Sequence, residues 1–216
     1  MRTVLALVRH PVDQLREPGL GRRLPQLLAG LVLYGFSMAM MVRAGLGLDP
    51  WDVLHQGVAR RTGLSFGTVV ILVGAAVLLA WIPLRQRVGV GTLCNVVVIG
   101  VAADAGLAVL PPATGWAARI VLLVLGVVLN ALAGALYVGA HLGPGPRDGL
   151  WVAIAARSGW SVRAVRTVIE VSVLAIGFVL GGSVGVGTVL YALAIGPLVQ
   201  LFLPLVSARR PAGSRD

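Results

Sequence analysis

The chain has 216 residues, 57% of them hydrophobic and 12% charged, with a mean hydropathy of +0.92 and a formal net charge of +10. Soluble domains carry about 25% charged residues, so this composition excludes an ordinary water-soluble domain. All 18 basic residues are Arg. They are scattered between long apolar runs instead of clustering on one face, which argues against a nucleic-acid partner and makes them topology signals.

Residues 1–23 carry Arg2, Arg9, Arg16, Arg22 and Arg23, and the apolar stretch from Val4 to Val8 is too short for the core of a signal peptide. A cytoplasmic, partly interfacial Arg-rich leader is expected there. A bilayer core about 30 Å thick needs roughly 20 apolar helical residues, because lipid offers the backbone no hydrogen-bond partner. Six stretches meet this requirement, near 25–43, 66–84, 89–109, 117–139, 164–181 and 185–206. The fold class expected is therefore all-α transmembrane, with a first three-helix repeat over 24–110, a second over 111–206 and a disordered cytoplasmic tail over 207–216.

With the N-terminus inside, Arg43, Arg60, Arg61 and Arg119 fall outside and the other fourteen arginines inside, Arg147 and Arg166 among them. This positive-inside bias places both termini in the cytoplasm of a multipass protein in a bacterial cell (inner) membrane, with the lipid bilayer as its first partner. The single cysteine, Cys94, lies in an apolar run and reads as a small buried side chain.

A shift of 96 residues aligns Ala44 to Gly100 with Ala140 to Gly196 without a gap. Leu46, Gly47, Pro50, Asp52 and Leu54 meet Leu142, Gly143, Pro146, Asp148 and Leu150, and the VGVGT of Val88 to Thr92 recurs at Val184 to Thr188. Three spans per copy is an odd number, so the second copy is expected to enter the membrane from the opposite side, the inverted-repeat plan of many transporters. The charges agree: Arg85 and Arg87 of one loop correspond to Gly181 and Ser183 in the other.

After the first span of each copy a short amphipathic or re-entrant helix is expected. In GLGLDPWDVLHQGVARRTG, Asp49 is placed to cap a helix beginning at Pro50, with Asp52 in the first turn. The second copy, HLGPGPRDGLWVAIAARSG, keeps Pro146 and Asp148 but has Gly145 in place of the capping acid. Two such N-termini suit either a polar path that holds an anionic group near the midplane or capped interfacial helices covering the bundle.

These segments, with VGVGTLCN and GPGPRDG, resemble the YczE/YitT-type bacterial membrane proteins, specifically the YczE-like branch, from about Tyr34 to Gly196. The resemblance implies a small multipass inner-membrane protein of largely undefined activity, and carries over no catalytic or binding residue.

Charged groups cost roughly 2.5 to 3.5 kcal/mol at the centre of a membrane helix, so each needs a partner or a wet cavity. Glu170 shares a helix face with Arg166, and reads either as an internal pair or as a proton or cation site. Asp104 lies in the outer half of the third span, near the external headgroups. Asn95, Asp104, Asn130 and His141 complete the candidates for a substrate or ion path, with Asp49, Asp52, His55, Arg147, Asp148, Arg166 and Glu170. Packing accounts for the two Asn residues by default. His55 beside Asp49 and Asp52 reads as capping and solvation instead of a metal site, so neither metal nor cofactor is expected.

No base-and-nucleophile cluster and no phosphate-binding loop is present in the sequence, so an enzyme is not expected. The leading expectation is a transporter or channel for a small solute, with a site between the repeats. The alternatives are a solute-binding subunit of a separate energy-coupling complex and a non-transporting membrane regulator or scaffold. A homo-oligomer or an energy-coupling partner remains open.

Overall fold

The computed structural model describes residues 19–207, and all regular structure among them is helical. The leader arginines Arg2, Arg9 and Arg16, and the tail after Ser207, lie outside the described residues. Eight helices follow one another: α1 (Leu20–Ala44), α2 (Pro50–Thr62), α3 (Phe66–Trp81), α4 (Val90–Val109), α5 (Trp116–Gly139), α6 (Pro146–Ser158), α7 (Val162–Val179) and α8 (Val186–Val206). Arg22 and Arg23, read as part of the leader, belong to the first turn of α1.

The first residues of α1 to α4 and of α5 to α8 stand 96 positions apart, pair by pair: Leu20 and Trp116, Pro50 and Pro146, Phe66 and Val162, Val90 and Val186. The caps repeat as well. Ser65 accepts from Thr68 N and Ser161 from Ala164 N, each satisfying an amide that the helix itself leaves unpaired. Gly63 and Gly159 close α2 and α6 at φ +74, a left-handed conformation that glycine adopts without steric cost.

Contacts between the copies are reciprocal. Gly91 N donates to Leu142 O at 2.8 Å, and Gly187 N donates to Leu46 O at 2.7 Å. The same exchange relates Gly143 against Thr92 to Gly47 against Thr188, where an added Cβ would lie 2.9 and 2.8 Å from the threonine hydroxyls. Each copy thus anchors the entry of its own short helix on the last long helix of the other.

The core runs along α1 and α5, which pack on each other, with α4 against α1 and α8 against α5. Leu27, Leu31, Met38 and Met41 of α1 meet Leu123 and Val127 of α5 and Ile99 and Ala103 of α4. Small residues let the backbones approach, as is usual where lipid supplies no hydrophobic drive between helices. A Cβ on Gly30 would sit 2.9 Å from Tyr137 N, and one on Gly126 2.7 Å from Met41 Cγ.

Large apolar side chains are exposed on the outside, including Leu72, Val97, Leu193 and Leu205, the last at 77%. That surface suits lipid and not water. The helices α1, α4, α5 and α8 are each long and apolar enough to cross a membrane, and α2 with α3, bent by 115° at their junction, would count as a fifth span. Six spans were expected. The shortfall has a physical reason: α3 has only 16 residues, and α7 carries Arg163, Arg166 and Glu170 within 18.

The copies differ on one side. In the first, α3 packs on α4, where a Cβ on Gly100 would fall 2.5 Å from Gly67 O. Asp104 ties the junction by accepting from Gly67 N at 2.7 Å and from Ser65 Oγ at 2.5 Å. In the second, Gly196 faces open space, and no comparable packing joins α7 to α8. Sequence explains the difference, since Gly67, Gly74 and Asp104 are replaced there by Arg163, Glu170 and Gln200.

Candidate functional site

The short helices α2 and α6 begin in the interior and end at the surface: Asp49 and Asp52 are buried, whereas Arg61 and Thr62 are exposed. Asp49 takes the extended cap conformation, and its Oδ1 accepts from Trp51 N at 2.9 Å and Asp52 N at 3.2 Å. Gly145 holds the equivalent position on α6 with no side chain to offer. Asp148 compensates within the first turn of α6, where an acid favours the positive end of the helix dipole.

Arg147, the second residue of α6, crosses to the other copy. Its guanidinium nitrogens lie 3.8 Å from Asp49 Oδ1 and 3.9 Å from Asp52 Oδ1, and the group stacks 5.0 Å from the Trp51 ring centroid. These distances make loose ion pairs without a hydrogen bond. Asp49 Oδ2 and Asp52 Oδ2 have no hydrogen-bond partner, and neither do the indole nitrogens of Trp51 and Trp151.

His55 Nδ1 sits 3.0 Å from Asp52 Oδ1, and because a carboxylate only accepts, that nitrogen carries the hydrogen. Tyr137 donates its hydroxyl to Asp148 Oδ2 at 2.5 Å. Arg166 Nε binds Glu170 Oε1 at 2.9 Å, and its guanidinium lies 4.7 Å from the Trp151 ring. Asn130 donates to Ser37 Oγ at 2.9 Å and accepts from the Tyr191 hydroxyl at 3.0 Å, linking α1, α5 and α8.

These groups surround a cavity of about 410 Å³ at the meeting of the two short helices. Of the sequence candidates, Asp49, His55, Asn95, Asn130, Arg147, Asp148, Arg166 and Glu170 line it. Asp52 lies behind the wall, held to His55. Two candidates stand apart. Asp104, expected either near the external headgroups or on a path, does not line the cavity and fastens the N-terminus of α3 to α4, because Ser65 and the Gly67 amide face it across a glycine contact. His141 marks the break after α5, with φ +53, and its carbonyl accepts from Arg23.

Arg147 also changes its reading. It was counted among the cytoplasmic topology charges, whereas its side chain is turned into the protein by Asp49 and Asp52. Setting Arg147 aside leaves thirteen arginines expected inside against four expected outside. The expectation of an anionic group on the helix N-termini changes too, since Asp49, Asp52 and Asp148 already stand at those positive ends. Among the described residues, no group of three His, Cys, Asp or Glu is placed to hold a metal.

Sequence reasoning missed Tyr34 and Tyr191. The chain has three tyrosines, and all three line the cavity. Tyrosine in membrane proteins favours the interfaces, so three placed in mid-span were a usable signal.

Residues 21–204 match a family described as a family of unknown function, DUF6198. An uncharacterized protein of Haemophilus influenzae is 43% identical over 185 residues, spanning 86% of this chain and 84% of that protein. The uncharacterized membrane protein YczE of Bacillus subtilis is 34% identical over 178 residues, with 82% and 83% of the two chains covered. The uncharacterized protein YyaS of the same organism is 24% identical over 182 residues, with 82% and 90% covered. No solved structure matches. The match over nearly all of the helical chain, together with the likeness to YczE, means that this membrane protein belongs to the YczE-like family.

Proposed function

We propose that this protein moves a small solute across the membrane, as a transporter or channel, and that the cavity where α2 and α6 converge is its binding site. The observation that carries this reading is the set of ionisable side chains around a half-open cavity of a membrane protein. Asp49, Arg147, Asp148, Arg166 and Glu170 all border it. Each costs roughly 2.5 to 3.5 kcal/mol at membrane depth, an outlay that function rather than folding explains.

In this reading the copies are inserted in opposite directions, α3 and α7 complete six crossings, and both termini are cytoplasmic in a bacterial inner membrane. The reciprocal contacts Gly91–Leu142 and Gly187–Leu46 support a two-fold relation between the copies. The loss of Arg85 and Arg87 at Gly181 and Ser183 supports its inverted sense. The short helices then act as half-helices meeting at the substrate, as in transporters built from broken spans. The lining residues bind and orient, and none is assigned a catalytic step.

The test is flux of a metabolite mixture into proteoliposomes holding the wild type, Asp49→Asn or Glu170→Gln. Wild-type uptake that either variant reduces supports transport. No uptake by folded wild type, with the same solutes bound, would instead favour a binding subunit that works with a separate energy-coupling complex.

A further inference from the structure

Formal charges around the cavity do not balance. Asp49, Asp148 and Glu170 oppose Arg147 and Arg166, and Asp52 adds a further carboxylate just behind the wall. Three of the four acids have a strong partner: Asp148 takes the Tyr137 hydroxyl, Glu170 takes Arg166, and Asp52 takes His55. Asp49 differs. It is 3% exposed and lines the cavity, yet Oδ2 has no hydrogen-bond partner and Oδ1 is spent on the α2 cap.

A buried carboxylate oxygen without a donor is costly, and the Arg147 guanidinium, at 3.8 Å, is too far to supply one. The walls around it are aromatic. Tyr34, Trp51, Tyr137, Trp151 and Tyr191 contribute rings, and the indole N–H groups of Trp51 and Trp151 are unpartnered donors. Aromatic faces attract cations, as both arginines stacked on tryptophan already demonstrate. A volume of about 410 Å³ lies within the usual range for a small organic ligand.

We infer that the cavity binds a small organic ammonium compound, its N–H donors towards the Asp49 carboxyl group and its body against the aromatic wall. This rests on the proposed transport role for the choice of site, but it concerns binding and is tested apart from flux. The ammonium supplies the hydrogen bonds that Arg147 does not reach. Proton occupancy of Asp49 is the competing chemistry, and it predicts no preference for a cationic ligand.

Three matched probes separate the cases: 2-phenoxyethylammonium, neutral 2-phenoxyethanol and anionic phenoxyacetate, titrated calorimetrically at neutral pH into the full chain in nanodiscs. The expected result is binding of the ammonium at least about tenfold tighter than the alcohol, with the anion weakest. Asp49→Asn should weaken the ammonium by a similar factor while remaining folded, because Asn caps a helix as well as Asp does. Asp104→Asn, away from the cavity, should leave affinity unchanged. Equal binding of ammonium and alcohol, preference for the anion, binding of none of the three, or wild-type affinity in Asp49→Asn would each overturn the assignment. Selective ammonium binding without flux would uphold the site and remove transport. Uptake of some other solute, with the ammonium unbound, would do the reverse.

Discussion

Arg147 reaches from the first turn of α6 to within 3.8 Å of Asp49, the cap of α2, and so places a charge that bridges the two copies beside the cavity. Removing it by Arg147→Ala leaves Asp49 and Asp52 in the interior without a cation. Breaking a buried pair in this way costs about 3 kcal/mol. Denaturant unfolding in a fixed detergent should show that loss, and Asp49→Asn added to Arg147→Ala should restore part of it. A double variant no more stable than Arg147→Ala would mean that the two side chains are not coupled.

The asymmetry of the copies predicts unequal tolerance at equivalent glycines. An added methyl at Gly100 meets Gly67 O at 2.5 Å and Ile71 Cγ1 at 2.6 Å, whereas at Gly196 it meets nothing within 4 Å. Gly100→Ala should destabilise by about 1 to 3 kcal/mol. Gly196→Ala should change stability by less than about 0.5 kcal/mol. Thermal unfolding of the two variants side by side decides the matter, and equal losses would contradict the open α7–α8 side.

Asn130 holds Ser37 and Tyr191 at once, so Asn130→Leu removes the acceptor of the Tyr191 hydroxyl and the donor to Ser37 Oγ, which keeps its own bond to Tyr34 O. Hydrogen bonds between membrane helices average about 0.6 kcal/mol and reach about 1.7 kcal/mol. The loss expected is therefore about 1 to 2 kcal/mol, read from unfolding in detergent. A variant as stable as the wild type would show that the Ser37–Asn130–Tyr191 chain adds nothing.

Asp104→Ala should cost about 1 kcal/mol through the lost α3 cap, with no effect on ligand binding. Measuring stability and binding on one preparation separates a fastening role from a path role. Impaired binding at full stability would return Asp104 to the site.

The helices were legible because apolar run length and turn chemistry act locally. Pro50 and Pro146, the serine caps at Ser65 and Ser161, and the glycines at Gly63 and Gly159 each mark a boundary that the structure keeps. The 96-residue register was legible for the same reason, because it reuses these markers. Side-chain direction was not. Arg147 looked like a loop charge because sequence carries no record of Asp49 and Asp52 across the interface, and the fastening role of Asp104 was hidden because its partners Gly67 and Ser65 lie at the start of another helix. Tyr34 and Tyr191, separated by most of the chain, meet only when α1 and α8 have both packed around α5.

The proposed transport role rests on opposed insertion of the two copies, and side-specific labelling tests that proposal most directly. In a Cys94→Ser background, Thr62→Cys and Ser158→Cys place thiols at the exposed ends of α2 and α6. A membrane-impermeant maleimide added to right-side-out vesicles should label Thr62→Cys at once and Ser158→Cys only after permeabilisation. Labelling of both from the same side would contradict the inverted arrangement.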